Sequence, residues 1–194
     1  MGTVKSLLLG MCFVLGACTS QTSTVQTTEK GTQWEWQNGT IVVKTPERPA
    51  GQKSVLGLTT PKLEAVRVGF VGLGMRGPGA VERFTYIPGT QVVALCDYEE
   101  ARADKCQELL KKASMPKAAV YSGDKGYEEL CKRDDIDLVY IAADWLHHFP
   151  VAKCALENGK NVAIEVPSAM NLQECWDLIN LSESTRKHCF ILEN

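Results

Sequence analysis

The sequence predicts a doubly wound α/β domain, in which helices cover both faces of a parallel sheet. Three observations lead to this fold class. Short apolar runs of strand length alternate with helical patterns from residue 65 to residue 194. The runs are nearly continuous in apolar residues, which is typical of parallel strands buried on both faces. One glycine-rich turn also follows the first run directly and precedes a helical pattern.

Six strands are predicted in chain order, and the third is the weakest. The first strand, Val66–Val71, ends at the glycine-rich turn. The others cover residues 91–96, 118–121, 138–142, 161–164 and 189–192. Each run is four to eight residues long, which suits a strand better than a helix.

Amphipathic stripes between the strands predict the crossover helices. Two stripes have helical spacing: Cys106, Leu109, Leu110 and Ala113, and then Leu172, Cys175, Trp176 and Ile179. Asn171 with Glu174 resembles a capping box at the start of the second stripe. Gly159 stands where a helix C-cap is expected.

Residues 1–18 have the pattern of a secretory signal peptide. A positive start at Lys5 precedes a short apolar run and the small residues Gly16 and Ala17. The tetrad that ends at Cys18 resembles the bacterial lipoprotein signal, which implies that Cys18 is the lipidated N-terminus. The protein is then exported and lipid-anchored to a bacterial membrane. A plain signal peptide and a buried N-terminal helix are the alternatives.

Residues 19–64 are interpreted as a tether and a connector to the main domain. The stretch 19–32 is rich in Ser, Thr and Gln, as in flexible polar linkers. Asn38-Gly39 lies between two alternating segments and predicts a β-hairpin. Residues 44–64 contain three prolines and are expected to connect the hairpin to residues 65–194.

Composition limits the classes of partner. A chain of 194 residues with 44% hydrophobic residues accommodates about one domain with a core. The formal net charge of −2 gives no basic signal for nucleic-acid binding, so small-molecule partners are expected. No metal site is predicted, and a homo-oligomer is left open. Six scattered cysteines are interpreted as small buried hydrophobes: Cys96, Cys106, Cys131, Cys154, Cys175 and Cys189.

The glycine-rich turn has the spacing Gly72-x-Gly74-x-x-Gly77, which is typical of dinucleotide-binding loops. Asp97 ends the second strand twenty residues after Gly77. A carboxylate there accepts hydrogen bonds from the adenosine ribose and would repel a 2′-phosphate, so NAD is favoured over NADP. Arg76 in the loop argues against this preference, because its guanidinium could bind the 2′-phosphate of NADP. The alternative is a glycine-rich turn without a ligand.

With "DWLHH" after the fourth strand and "IEVPSAM" after the fifth, the chain resembles the Gfo/Idh/MocA oxidoreductase family over residues 66–194. The resemblance implies a Rossmann NAD-binding fold. The family usually has Glu-Lys-Pro after the fifth strand, with the lysine near the nicotinamide. This chain has Glu165-Val166-Pro167, and a valine cannot accept a proton from an alcohol.

The same motif, with "GLGMRG", Trp145-x-x-His148, "ECWDL" and "LEN", resembles glycoside hydrolase family 109, which includes NAD-dependent α-N-acetylgalactosaminidases. The resemblance implies cofactor contacts beyond the glycines and Asp97. They are Met75, Arg76, Trp145, Leu146, His147, His148, Glu165, Val166 and Asn194. The histidines are expected in a loop, where solvation is the common alternative to a role in the site.

The resemblance also implies the reaction. The sugar is oxidised transiently at carbon 3, the aglycone is eliminated, water adds and the ketone is reduced again. Family members continue into a second, substrate-binding domain, so this chain is expected to be an inactive cofactor-binding part with its catalytic residues beyond Asn194. The alternatives are an NAD-dependent sugar dehydrogenase and a truncated lipoprotein that binds NAD or a sugar without turnover.

Overall fold

A computed structural model describes residues 26–27 and 33–193 of the chain. The predicted lipidation residue Cys18 and the predicted cofactor contact Asn194 lie outside the described residues. Within the described part, no helix combines the length and the apolar character that a membrane span requires.

Two sheets are present in the described residues. The first is antiparallel and contains β1 (Gln26–Thr27), β2 (Gln33–Gln37) and β3 (Thr40–Val43). The second has six parallel strands in the order β6-β5-β4-β7-β8-β9. Its strands are β4 (Val66–Val71), β5 (Thr90–Asp97), β6 (Ala119–Ser122), β7 (Leu138–Ile141), β8 (Asn161–Glu165) and β9 (Cys189–Leu192).

Five helices connect the parallel strands. They are α1 (Gly77–Thr85), α2 (Glu100–Lys112), α3 (Gly126–Cys131), α4 (Trp145–Glu157) and α5 (Leu172–Thr185). The chain runs outward from β4 to β6 and then crosses back to β7 on the other side of β4. This reversal of strand order is the arrangement in which α/β folds bind ligands at the carboxyl ends of their strands.

Each face of the sheet has its own core, because successive side chains of a strand point to opposite faces. Phe70 and Tyr140 belong to the core under α1 and α2. Val71 and Ile141, each one position later, belong to the core under α3, α4 and α5. All four are at most 5% exposed. The predicted doubly wound α/β fold is therefore confirmed.

The strand predictions agree with the structure closely. The first and last predicted strands have the observed bounds, and the other four differ by one residue at one end or at both ends. No amphipathic stripe was predicted for α1, α3 or α4, and the six residues of α3 are too few to show a helical period.

The predicted helix caps are present. The Asn171 side chain accepts a hydrogen bond from the Glu174 backbone at 3.1 Å, and Glu174 accepts one from the Met170 backbone at 2.8 Å. Gly159 has φ +72° just after the last turn of α4. A left-handed residue there ends a helix, and glycine adopts that conformation without strain.

The connector is held to α5 by a buried carboxylate. Arg48 donates two hydrogen bonds to Glu183, at 2.8 and 3.0 Å, and Gln52 donates a third at 2.9 Å. The Glu183 side chain is only 3% exposed, so it needs these partners. They lower the pKa of Glu183, with the hydrogen bond from Arg48 as the largest cause.

The interpretation of the cysteines holds for three of the six. Cys96, Cys106 and Cys131 are buried, whereas the other three are only half-buried. All six are free thiols. Burial raises the pKa of Cys106 to about 11, so this thiol stays protonated at neutral pH.

Candidate functional site

A cleft of about 420 Å³ opens at the carboxyl ends of β4, β5, β7 and β8. It lies where the strand order reverses, between the loop after β4 and the loop after β7. Most predicted contact residues line it: Gly72, Gly74, Met75, Arg76, Asp97, Trp145, His147, His148, Glu165 and Val166. Gly77 and Leu146 are not on its wall.

The three glycines of the loop are required for different structural reasons. Gly72 has φ +89°, and a Cβ there would lie 2.3 Å from the backbone nitrogen of Ala143. A Cβ at Gly77 would lie 2.1 Å from the carbonyl oxygen of Gly72. Both positions therefore exclude a side chain because the backbone packs too closely. A Cβ at Gly74 would meet only the Arg102 guanidinium, at 3.6 Å, so this glycine leaves the cleft open to a ligand.

The loop leads directly into helix α1, which begins at Gly77 and has Pro78 in its first turn. Free amide groups and the helix dipole at such an N-terminus attract the phosphates of a dinucleotide. Arg76 immediately precedes the helix and is exposed, so its charge is available at the same end. Met75 is 94% exposed and projects from the tip of the loop.

Asp97 has more partners than its sequence position indicates. One carboxylate oxygen accepts a hydrogen bond from the Leu73 backbone at 2.6 Å. The other accepts one from the Glu99 backbone at 3.0 Å and one from Arg102 at 3.3 Å. The residue is 6% exposed and lines the cleft. Asp97 therefore fixes the glycine loop against the end of β5 in addition to its predicted place at the ribose.

The prediction that the two histidines lie in a loop is wrong. His147 and His148 are in the first turn of α4, which starts at Trp145. Asp144 caps this helix, and its side chain accepts a hydrogen bond from the Leu146 backbone at 3.0 Å. An aspartate just before a helical segment is a common N-cap, so Asp144, three residues after β7 ends, is the signal that could have placed the histidines in a helix.

His147 contacts two carboxylates. Its Nδ1 lies 2.6 Å from Asp144, and its Nε2 lies 3.5 Å from Asp124. Partial burial opposes ionisation of Asp144, but the interaction with the His147 side chain and the backbone hydrogen bonds from Leu146 and His147 together lower its pKa. Asp124 belongs to the loop after β6, so its contact with His147 joins that loop to the start of α4 across the cleft.

His148 is a buried side chain of the cleft wall with one ring nitrogen that no described residue contacts by a hydrogen bond. It is 1% exposed, and its Nδ1 lies 2.7 Å from the carbonyl oxygen of Pro167. A carbonyl only accepts, so Nδ1 holds the hydrogen and Nε2 of the neutral ring is an acceptor. Among the described side chains, Nε2 is the one buried polar atom without a partner. His148 lines the cleft, and a hydroxyl or amide of a cofactor that reached Nε2 would satisfy it.

Glu165 and Val166 end the wall on the far side of the cleft. Glu165 is 9% exposed and accepts a hydrogen bond from the Tyr140 hydroxyl at 2.9 Å. Burial, followed by this hydrogen bond, raises the pKa of Tyr140, so the phenol remains a donor. Val166 is 43% exposed, so the position that is usually lysine in the family presents an apolar side chain.

Several wall residues were not predicted as contacts from the sequence, among them the polar side chains of Tyr98, Arg102, Asp124 and Tyr127. Tyr98 and Arg102 follow the Asp97 strand, and the other two follow β6. Their positions depend on how the loops meet in three dimensions, for which single-sequence patterns give no signal. The described residues contain no cluster of side chains suited to a metal ion.

Residues 66–192 match the family model of the Gfo/Idh/MocA proteins, described as an oxidoreductase family with an NAD-binding Rossmann fold. The chain belongs to the Gfo/Idh/MocA oxidoreductase family. The family, the fold and the cofactor NAD are thus as the sequence predicts. The closely packed glycines and the unsatisfied Nε2 of His148 fit an NAD molecule in the cleft.

The similar curated proteins are named as glycosyl hydrolases. Over its whole length the chain is 80% identical to glycosyl hydrolase family 109 protein 4 of Phocaeicola vulgatus. Over 98% of its length it is 57% identical to glycosyl hydrolase family 109 protein 1 of Bacteroides thetaiotaomicron. The chain spans 38% and 40% of the lengths of these two relatives. The resemblance to family 109 is confirmed at this level.

Solved structures show the same fold. Biliverdin reductase from Synechocystis, in complex with biliverdin and NADP+, is 27% identical with a TM-score of 0.56 and aligns with 65% of this chain and 37% of its own. A myo-inositol dehydrogenase from Lactobacillus casei, in complex with NAD(H) and myo-inositol, is 24% identical with a TM-score of 0.58, over 66% of this chain and 36% of its own.

The orphaned Nε2 atom of His148 leads to a prediction about cofactor binding. In His148→Phe, the NAD affinity should fall about tenfold, because a buried hydrogen bond to the cofactor is lost. The unfolding free energy of the cofactor-free protein should change little. The substitution removes the unsatisfied Nε2 atom, which costs the folded state about 1–3 kcal/mol. It also removes the hydrogen bond to the Pro167 carbonyl, which stabilises the folded state by about 1 kcal/mol, so the two effects oppose each other.

Isothermal titration calorimetry with NAD and chemical denaturation measure the two quantities. His188→Phe is the matched control, because His188 is half-buried and is not on the cleft wall. An unchanged NAD affinity together with strong destabilisation would show that His148 is purely structural.

Proposed function

We propose that this chain is the cofactor-binding part of an NAD-dependent glycosidase that acts on α-N-acetylgalactosaminides. The proposed reaction is transient oxidation, elimination of the aglycone, hydration and re-reduction. The observation that carries the proposal is the 80% identity, over the whole chain, to a glycosyl hydrolase family 109 protein. NAD, when bound, supplies a hydride acceptor at carbon 3 of the sugar and returns the hydride within the same turnover.

The residues of this chain bind and orient the cofactor in the proposed site. The glycine loop and the start of α1 hold the phosphates, and Asp97 lies at the ribose. Nε2 of His148, which has no partner among the described residues, would accept a hydrogen bond from the cofactor. Glu165, kept in place by Tyr140, forms the wall on the other side.

Val166 stands where the wider family usually has the lysine near the nicotinamide, so this position lacks the usual base. Oxidation of the sugar, in the proposed reaction as in a dehydrogenase, requires a base that removes the hydroxyl proton as the hydride leaves, and a valine cannot do this. The base must therefore come from another residue. We place it in the part of the longer relatives that this chain does not span. A sugar dehydrogenase is the second candidate, because the family model that matches this chain is described as an oxidoreductase family.

Isotope labelling tests the proposed reaction. The protein from the whole reading frame is supplied with a synthetic α-N-acetylgalactosaminide in deuterated water. The released sugar should carry deuterium at carbon 2, because elimination removes that hydrogen and hydration replaces it from solvent. Carbon 3 should keep its original hydrogen, and NADH should not accumulate. Mass spectrometry and proton NMR of the product measure both positions.

The outcomes separate the two candidates. Sugar released with carbon 2 fully protonated would exclude the elimination. An oxidised sugar formed with an equal amount of NADH would identify a dehydrogenase. An ordinary hydrolase would leave both carbons unlabelled and would act without NAD.

We also propose that the protein is exported and anchored to a bacterial membrane by lipid on Cys18. The support is the apolar run followed by Leu15-Gly16-Ala17-Cys18. Stable anchoring needs more than one acyl chain. Mass spectrometry should therefore find a mature N-terminus at Cys18 with several acyl chains, and Cys18→Ser should leave the membrane fraction. An unmodified N-terminus at another residue would contradict the proposal.

A further inference from the structure

Arg102 lies at the wall of the cleft and is shared by two carboxylates, of which Asp97 also lines the cleft. Its Nη1 donates to Asp97 at 3.3 Å, and its Nη2 donates to Glu99 at 3.0 Å. Arg102 lies in the first turn of α2, and its side chain is 41% exposed. The guanidinium is therefore accessible from the cleft but already has a partner on each side.

The position of this guanidinium coincides with the expected ribose site. Asp97, at the end of the second strand of the domain, occupies the place where an acidic residue binds the ribose hydroxyls of NAD. Nη1 of Arg102 lies 3.6 Å from where a Cβ of Gly74 would be. The guanidinium thus lies between the glycine loop and Asp97. An arginine at this place is the residue type that accommodates the 2′-phosphate of NADP.

The local charges oppose that use of Arg102. Two carboxylates and one guanidinium leave one net negative charge beside the ribose site, which disfavours an incoming phosphate. The two carboxylates are not equivalent. Asp97 is buried and keeps two backbone donors without Arg102. Glu99 is 57% exposed, so its pairing with Arg102 contributes little to stability and is easily removed.

We propose that Glu99 is a specificity-determining residue that excludes NADP by occupying Arg102. Its carboxylate holds Nη2 and adds a negative charge next to the 2′ position of the ribose. Asp97 then binds the ribose and fixes the glycine loop, while Glu99 prevents Arg102 from binding a phosphate. The inference concerns cofactor binding only, so it stands or falls independently of the glycosidase reaction.

Neutralising Glu99 tests the inference. In Glu99→Gln, the affinity for NADP should rise about tenfold or more, because Arg102 is released to form a charge-assisted hydrogen bond with the phosphate. The affinity for NAD should change less than about threefold, since NAD places no phosphate there. Calorimetric titration of the cofactor-free full chain with NAD and with NADP measures both values.

Two further variants test whether a gain in NADP affinity depends on the position of Glu99 and on Arg102. Glu100→Gln makes the same change of charge one residue later, at an exposed side chain that does not pair with Arg102, and should not raise NADP affinity. Adding Arg102→Ala to Glu99→Gln should abolish the gain. The proposal is overturned if Glu99→Gln gives no gain, if the gain survives without Arg102, or if Glu100→Gln matches it. Equal affinity of the unaltered protein for NAD and NADP would overturn it as well.

Discussion

The buried carboxylate of Asp97 connects the end of β5 with the glycine loop, and the cleft depends on this connection. Its 2.6 Å hydrogen bond to the Leu73 backbone holds the loop in the conformation from which α1 starts. A buried carboxylate is costly unless it is well hydrogen-bonded, so the same bonds that fix the loop also keep the charge in place. The negative charge required near the ribose is thereby positioned before a cofactor arrives.

The cleft combines satisfied and unsatisfied polar groups. Glu165 is paired with Tyr140, and Asp97 has three donors, so these carboxylates are held rigidly. His148 differs because one ring nitrogen is bound and the other is buried without a partner among the described residues. Such an atom lowers the stability of the cofactor-free protein, and a ligand that supplies a donor removes that cost. Binding and folding are therefore linked at this residue.

Local patterns predicted the sheet and the glycine loop well, because both are encoded in consecutive residues. Strand β4 and the turn after it combine a continuous apolar run with glycines whose backbone contacts exclude any side chain. The histidines of α4 were misplaced, since their helix depends on an Asp144 cap and contains Pro150, which interrupts the usual pattern. Arg102 was not identified, because its role arises from contacts with Asp97 and Glu99 in the folded chain.

The central claim is that the Asp97 carboxylate organises the NAD site, and calorimetry on Asp97→Ala tests it most directly. The full chain, shown to be folded by circular dichroism, is titrated with NAD beside Asp104→Ala, an exposed acidic position on α2. The account predicts that NAD affinity falls at least about tenfold in Asp97→Ala, through loss of charge-assisted hydrogen bonds, and is unchanged in Asp104→Ala. An NAD affinity of the folded Asp97→Ala protein equal to that of the unaltered chain would contradict it.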